Sequence, residues 1–254
     1  MTRIAVTGAG GRLGGQVAGL LGSHDGVEVV GLTRAVADYD DRPALTAALA
    51  AADTLVLVSS DGEAERVLHH HLNLVAAATA NGVEHVVALS SVDSDLDSPF
   101  CYARVNALTE RALADSGCAV TAVRASIYTE FFSSLVELAT VDSELRLPAA
   151  DGRVALVSRD DVGRVLAAVA LSPSPAVHDV TGPASLSMDE VAEARGLSYV
   201  PVSEAEFAAH LAGRESPWWS YAYTSMFGSI REHRWEVVTD VVERLTGNRA
   251  LPAV

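Results

Sequence analysis

Residues 7–15 read Thr7-Gly8-Ala9-Gly10-Gly11-Arg12-Leu13-Gly14-Gly15, and what flanks them decides their meaning. Arg3 to Thr7 is a short apolar run of strand type, and Leu13 to Leu21 has the apolar spacing of a helix. A glycine cluster between a first strand and a first helix is the setting a dinucleotide-binding turn requires. Gly8 permits the sharp turn, Gly11 lets backbone amides approach a pyrophosphate, and Gly14 lets the helix pack closely on the strand. The helix N-terminus adds N–H donors and the positive end of its dipole. The competing reading is a glycine-rich turn of purely structural use. The position at the head of a βαβ series favours binding.

That series can be followed along the chain. Val27 to Leu32 is nearly continuous in β-branched and apolar residues, as expected of a strand buried on both faces of a parallel sheet. Thr54 to Val58, His85 to Leu89 and Ala119 to Val123 repeat the signature. Glu63 to Ala80 places Leu68, Leu72, Val75 and Ala76 at helical spacing, and Tyr102 to Ser116 reads as a second crossover helix. Alternating strands and helices give an α/β fold, a doubly wound parallel sheet of Rossmann type. It is expected over residues 1–128, with 153–180 returning to the sheet. Residues 129–254 read as a smaller, mostly helical substrate-side lobe. Ser158-Arg-Asp-Asp161 and Ser187-Met-Asp-Glu190 both fit a capping box there. Eight of the fourteen aromatic residues lie between Tyr199 and Trp235.

Composition narrows the function classes. The chain has 254 residues, 49% of them hydrophobic and 20% charged, which is a globular balance. It contains no lysine, so its 18 basic residues are all arginine. That excludes a P-loop ending in Gly-Lys, a Schiff-base lysine and the Tyr-x-x-x-Lys pair of ordinary short-chain dehydrogenases. A net charge of −15 repels phosphodiester backbones and argues against nucleic acid as a partner. No apolar run is long enough to span a membrane. The first residues enter a strand with no hydrophobic leader, and Cys101 and Cys118 are too few for a disulfide framework. A cytoplasmic setting is therefore expected.

Which nucleotide would bind is read from the end of the second strand. An NAD site carries Asp or Glu there, about 20 residues on, for the ribose 2′-hydroxyl. Here the strand ends Gly31-Leu32-Thr33-Arg34. The Arg34 guanidinium can take a 2′-phosphate through two parallel bonds, and Arg12 can approach from the glycine loop. Together they favour NADP(H). Against this, Asp38, Asp40 and Asp41 follow closely and weaken the local field. Arg12 and Arg34 also have the plain reading of solvated surface charges.

The same residues resemble the NmrA-like branch of atypical short-chain dehydrogenases. Beyond the glycine motif, the similarity extends to Ala37-Asp-Tyr-Asp40, Leu55-Val-Leu-Val-Ser-Ser60, residues 81–91, Ala114-Asp-Ser-Gly117, Arg124 to Glu130, Val157 to Val162 and Val180-Thr-Gly-Pro183. The likeness points to quinone oxidoreductases, azoreductases and triphenylmethane reductases. It implies a Rossmann domain with a small C-terminal lobe and substrate in the cleft between them. Carried over by position, Gly8, Gly11, Arg12 and Leu13 would hold the pyrophosphate, Arg34 the 2′-phosphate, and Asp38 would lie near the adenine. Ser59 and Ser60 would line the nicotinamide ribose. Ser90 and Ser91 end the next strand, where ordinary members keep a catalytic serine, and Tyr128 would close over the nicotinamide. Two departures stand out. The chain between Arg34 and Asp38 is short, as if a helix and a strand had been trimmed, and Phe131 stands where relatives often carry Asn.

Tyr102 and Asn106 are four apart on one helix face, with Asn in the position of the missing lysine. Asn is neutral and can only hydrogen-bond, so Tyr102 is expected to stay protonated near about 10. A phenol in that state is a poor base for alcohol oxidation but can donate to a quinone oxygen. The plain reading of Tyr102 is a surface residue of an amphipathic helix. His69, His70 and His71 fan out by about 100° each on a helix and cannot converge on one metal; two of them are expected to face solvent or pack beside Leu72. Trp218, Trp219, Tyr221, Tyr223 and Phe227 form an acceptor pocket, an oligomer interface or lobe core, of which core is favoured. Two functions follow. One is NADPH-dependent hydride transfer to a quinone-like or other conjugated small molecule. The other is a non-catalytic NADP(H) sensor that binds a protein partner.

Overall fold

The computed structural model describes residues 1–253 and assembles the alternating segments into one parallel sheet. In chain order the first half runs β1 (Thr2–Thr7), α1 (Arg12–Gly22), β2 (Val27–Leu32), α2 (Arg42–Ala48), β3 (Thr54–Leu57), α3 (Ala64–Asn81), β4 (His85–Ser91), α4 (Cys101–Ala114) and β5 (Ala119–Ala125). There follow α5 (Thr129–Ala139), β6 (Thr140–Val141), β7 (Glu144–Leu147), β8 (Arg153–Val154), α6 (Arg159–Leu171) and β9 (Ala176–Val180). The chain closes with β10 (Leu186–Ser187), α7 (Met188–Glu193), β11 (Ser198–Pro201), α8 (Glu204–Leu211), α9 (Pro217–Arg231) and α10 (Val241–Thr246).

The main sheet has the order β2-β1-β3-β4-β5-β9, with every pair parallel. Val6 lies opposite Gly31 on one side and Val56 on the other. The chain therefore moves outward from β1 to β2, then returns past β1 to β3. That reversal is the topological switch point where doubly wound sheets bind ligands. Core packs on both faces. Ile4, Val6, Val17, Leu21, Val165 and Leu166 join the sheet to α1 and α6, and Leu45, Leu55, Leu57, Leu74, Val86 and Leu113 join it to α2, α3 and α4. No helix among the described residues is long and apolar enough to cross a membrane.

β2 differs from its sequence reading. It is an edge strand, and only Leu32 of its six residues is fully buried. Residues 33–41 carry no helix or strand, and among the described residues no strand pairs with its outer side.

The lobe has its own core, in which Phe132, Leu145, Leu147, Leu156, Phe207, Phe227 and Ile230 meet. Its helices are linked by two small sheets, β11-β7-β6 and β10-β8, whose two-residue strands carry no periodicity to read. α6 and β9 return to the main sheet, and Val241 and Val242 of α10 also pack on that side. Ser187 and Glu190 form the full capping box. Ser158 makes only half of one. Its hydroxyl accepts from the Asp161 amide, but the buried Asp161 carboxylate instead accepts from Ser158 Oγ at 2.7 Å and from the Leu251 amide at 2.8 Å, and pairs with Arg164. Asp161 thereby pins the C-terminal segment to α6.

Candidate active site

The glycine loop lies at the end of β1, against the switch point. Thr7 clasps β1 to β3: its buried hydroxyl donates to the Val58 carbonyl at 2.7 Å and accepts from the Val58 amide at 2.7 Å. Gly8 takes φ +63°, a left-handed value that favours glycine. At Gly14 a Cβ would lie 2.3 Å from the Gly8 carbonyl oxygen and 2.6 Å from that of Thr7, so α1 packs directly on the strand backbone. The N-cap of α1 is Gly11, with no side-chain cap and no acidic residue in the first turn. The Arg12 and Leu13 amides thus begin a helix whose positive end is uncompensated.

Arg12 and Arg34 are both exposed, and neither has a carboxylate partner among the described residues. The three nearby acids are engaged elsewhere. Asp38 accepts from the Asp40 amide at 3.0 Å, Asp41 caps α2 by accepting from the Ala44 amide at 3.0 Å, and Asp40 faces Arg66, His69 and His70. Of the three, Asp40 has a guanidinium partner, while Asp38 and Asp41 keep their charge. Tyr39 is an addition from the same segment: its hydroxyl accepts the Gly8 amide at 2.7 Å. A loop turned by left-handed Gly8 and closed to a Cβ at Gly14, an open helix N-terminus and two unpaired guanidinium groups suit a phosphorylated dinucleotide.

Beyond β3 the chain presents Ser59 and Ser60, each held by a histidine of α3. His71 is fully buried, and burial lowers its pKa to about 4, so it is neutral. Thr109 donates its hydroxyl proton to the Val105 carbonyl at 2.8 Å, so it must accept from His71 Nδ1 at 2.8 Å. The ring proton is therefore on Nδ1, and Nε2 accepts from the Ser59 hydroxyl at 2.7 Å. The neighbouring pair runs the other way. His70 Nε2 accepts from Arg66 Nε at 3.4 Å, which puts the proton on Nδ1, 2.8 Å from Ser60 Oγ. Ser60 accepts, and its own proton is free.

The histidine triplet thus differs from its sequence reading. His70 and His71 both point inward, and only His69 is exposed. Two adjacent buried histidines on one helix are stable because each closes a hydrogen bond to one of two consecutive serines.

Ser91 and Asn106 meet, Asn106 Nδ2 donating to Ser91 Oγ at 3.0 Å. Ser90 points away from them and donates to Glu110 at 2.5 Å, and Glu110 forms a two-bond pair with Arg124 at 3.0 and 2.6 Å. Tyr102 hydrogen-bonds to neither Ser91 nor Asn106 among the described residues; its hydroxyl donates to the Gly62 carbonyl. Burial, with Asp61 adding to it, pushes its pKa up to about 12 rather than leaving it near 10. Tyr102 is protonated, as expected, but its proton is engaged by backbone. Burial likewise pushes the Tyr128 phenol up, and the Arg159 guanidinium lies 5.1 Å over its ring.

Tyr102, Tyr128, Phe131, Trp219 and Tyr223 line a cavity of about 270 Å³, with Ser60 and Asp61 at its polar side. Trp219 stacks between Tyr102 and Tyr223, with ring centroids 6.4 and 5.7 Å apart at 26° and 29°. Of the aromatic run expected to be lobe core, only Phe227 is fully buried; Trp219 and Tyr223 face the cavity and Tyr221 is exposed. A larger depression, about 530 Å³, lies at the opposite ends of the strands near Thr2, Asp53 and His85 and touches none of these residues.

The sequence profile of the NmrA-like family matches residues 1–196. The chain belongs to the NmrA-like family. It is 30% identical to quinone oxidoreductase 2 of Escherichia coli (strain K12) over 232 residues, covering 82% of this chain and 80% of that one. It is 24% identical over 229 residues to the NAD(P)H azoreductase of Xenophilus azovorans, covering 87% and 79%. The structure of the NADPH-dependent quinone oxidoreductase of Escherichia coli, complexed with NADPH, superposes with a TM-score of 0.88 at 26% identity, covering 98% and 96%. This NmrA-like chain shares the fold of that reductase along nearly its whole length. Sequence reasoning missed His70, His71, Tyr39 and the clasp of Thr7. The one available signal was the pairing of two serines after β3 with two histidines on the helix that follows.

Proposed function

We propose that this NmrA-like chain is an NADPH-dependent oxidoreductase that reduces a quinone-like or other flat conjugated acceptor. The observation that carries the reading is the aromatic cavity opening beside Ser60, just past the end of β3, the strand that borders the switch point. The activities named for the Escherichia coli and Xenophilus relatives support it. The division of labour that goes with it assigns residues 1–128 and 153–180 to the nucleotide and the remainder to the acceptor. Two free cysteines, one buried, accord with a reducing cytoplasmic setting.

The residues take these roles. The amides of Arg12 and Leu13 bind the pyrophosphate, those expected from Gly8 and Gly11 being spent on the Tyr39 hydroxyl and the Gly8 carbonyl; Arg12 and Arg34 grip the 2′-phosphate, and Asp38 borders the adenine. Ser59, whose proton is held by His71, offers oxygen lone pairs to a ribose hydroxyl. The dinucleotide supplies a hydride when bound. Tyr128, Phe131, Trp219 and Tyr223 exclude water and align a planar acceptor. Ser91 and Asn106 hold β4 to α4 beneath it. Without lysine to lower its pKa, and with its proton on the Gly62 carbonyl, Tyr102 serves as a wall of the slot rather than a base.

Protein-dependent loss of reduced nicotinamide absorbance with a small quinone is the expected result. NADPH binding without turnover across a panel of acceptors would overturn it and favour a redox sensor with unequal affinity for the two cofactor forms. Arg34→Ala is expected to weaken NADPH by roughly 1.5–3 kcal/mol in a calorimetric titration, the worth of charged hydrogen bonds, and to leave NADH nearly unchanged. Equal losses for both would make Arg34 a structural residue.

A further inference from the structure

Reducing a quinone consumes a hydride and a proton, and the obvious proton donor is ill placed. Tyr102 gives its hydroxyl proton to the Gly62 carbonyl. Ser59 gives its proton to His71, and Ser90 gives its proton to Glu110. Three hydroxyls on the cavity wall keep their protons free: the phenols of Tyr128 and Tyr223, and Ser60, which accepts its ring hydrogen bond rather than donating it and is the one of the three backed by a polar chain.

Behind Ser60 a chain of polar groups leads outward. His70 Nδ1 is 2.8 Å from Ser60 Oγ, and on the far side of the ring Nε2 is 3.3 Å from Asp40 Oδ1. His70 is buried, while the Asp40 side chain is about half exposed at 52%. The groups around the imidazole are Asp40, Arg66, His69 and Asp38, with the Tyr39 ring edge-on at 5.6 Å. Arg66 Nη2 lies 3.8 Å from Asp40 and holds it beside the ring.

From this geometry we propose that Ser60, His70 and Asp40 form a proton relay that carries a solvent proton to the reduced acceptor in the aromatic cavity. The inference rests on the acceptor reading above. Hydride addition turns one quinone oxygen into an anion. Ser60 gives that oxygen its hydroxyl proton and regains one from His70 Nδ1, while Nε2 takes a proton from water beside Asp40. One hydride and one solvent proton are consumed, the quinone becomes a hydroquinone, and the nicotinamide is oxidised. Ser60 touches the acceptor, whereas His70 and Asp40 act through it. Asp40 stabilises the proton arriving at Nε2, a position already near a carboxylate. The two serines divide the work: Ser59 is fixed as a donor to its ring and Ser60 as an acceptor, because the outer sides of the two rings meet Thr109 and the Arg66–Asp40 pair respectively.

The test compares two acceptors that differ in proton demand. A naphthoquinone needs hydride and proton; the N-methylacridinium cation takes hydride alone and becomes neutral. His70→Gln and Asp40→Asn are measured with both, alongside the NADPH dissociation constant by calorimetry and the solvent deuterium isotope effect. His70→Gln is expected to lower kcat for the quinone by about 10- to 100-fold, the scale of general acid catalysis. Acridinium reduction and NADPH affinity should stay within about two-fold, and Asp40→Asn should show the same split more weakly. Wild-type quinone turnover should carry a solvent isotope effect that acridinium turnover lacks. Equal losses with both acceptors would show that His70 only supports the loop after β3, and an unchanged quinone rate would show that the proton arrives elsewhere. Either result overturns the relay and leaves the oxidoreductase reading standing. Failure of the wild-type protein to reduce either acceptor would remove that reading and the relay with it.

Discussion

Gly14→Ala is expected to lower the melting temperature by roughly 6–12 °C and to abolish measurable NADPH binding. The added methyl would sit 2.3 Å from the Gly8 carbonyl oxygen and 2.5 Å from its carbon, and both are backbone atoms that no rotamer change can move. Relief requires α1 to lift from β1 or the glycine loop to deform. Overpacking of this kind costs about 3 kcal/mol, and in a chain of this size each kcal/mol moves the midpoint by about 2–4 °C. The two losses share one cause, because lifting α1 displaces the Arg12 and Leu13 amides that would face the pyrophosphate. Gly19→Ala is the control: the same helix has open space there. A Gly14→Ala protein with unchanged melting and unchanged NADPH affinity would show that the loop tolerates what its geometry forbids.

The second large effect is acid destabilisation through His71. Its folded pKa is lowered to about 4 by burial, with His70 adding a smaller push, whereas the unfolded chain titrates near about 6.5. Below that value the unfolded state binds a proton that the folded state refuses. The stability His71 contributes is therefore intact above about pH 6.5 and is lost as pH falls through 6.5 toward 4. The full window is worth about 3 kcal/mol, of which about 2 is gone by pH 5. His70, His85 and His178 are lowered in the same direction, so they steepen the fall. Denaturant unfolding at pH values from 7.5 to 4.5, spaced by about half a unit, should show this slope, and His71→Gln should flatten it. An equal slope in the variant would place the titration elsewhere. Protonating Nε2 also removes the acceptor of Ser59, so the cofactor-side serine loses its hold over the same range.

The Rossmann half is legible because its signals are local. Val27–Leu32 and the starts of β3, β4 and β5 can be placed to the residue, and α3 within one, since each strand or helix carries its own periodicity. The glycine loop declares its use because Gly8 and Gly14 serve backbone geometry alone. What cannot be read depends on distant neighbours. β2 has the composition of a buried strand, yet its burial depends on whether a further strand follows. The inward turn of His70 and His71 depends on Ser59 and Ser60 lying over the first turns of α3. The direction of the Tyr102 hydroxyl depends on the Gly62 carbonyl, 40 positions away. Trp219 and Tyr223 carry the same aromatic signal as Phe227, and only the packing of α9 separates cavity wall from core.

The uncovered edge at β2 also sets where the molecule opens first. Half of that strand's peptide groups have no strand partner, and apart from β1 it is held through Val27 and Val29 on the α1 side and through Val30 and Leu32 on the α2 side. Its amides belong to the least protected tier in hydrogen exchange, in the same cooperative unit as the loop it supports. On the proposed cofactor reading, a phosphate held between the first turn of α1 and Arg34, two residues past Leu32, would fasten the strand's end from outside. Nucleotide that binds only the closed corner raises its local opening energy, so saturating nucleotide should slow exchange in β2 more than anywhere in the lobe.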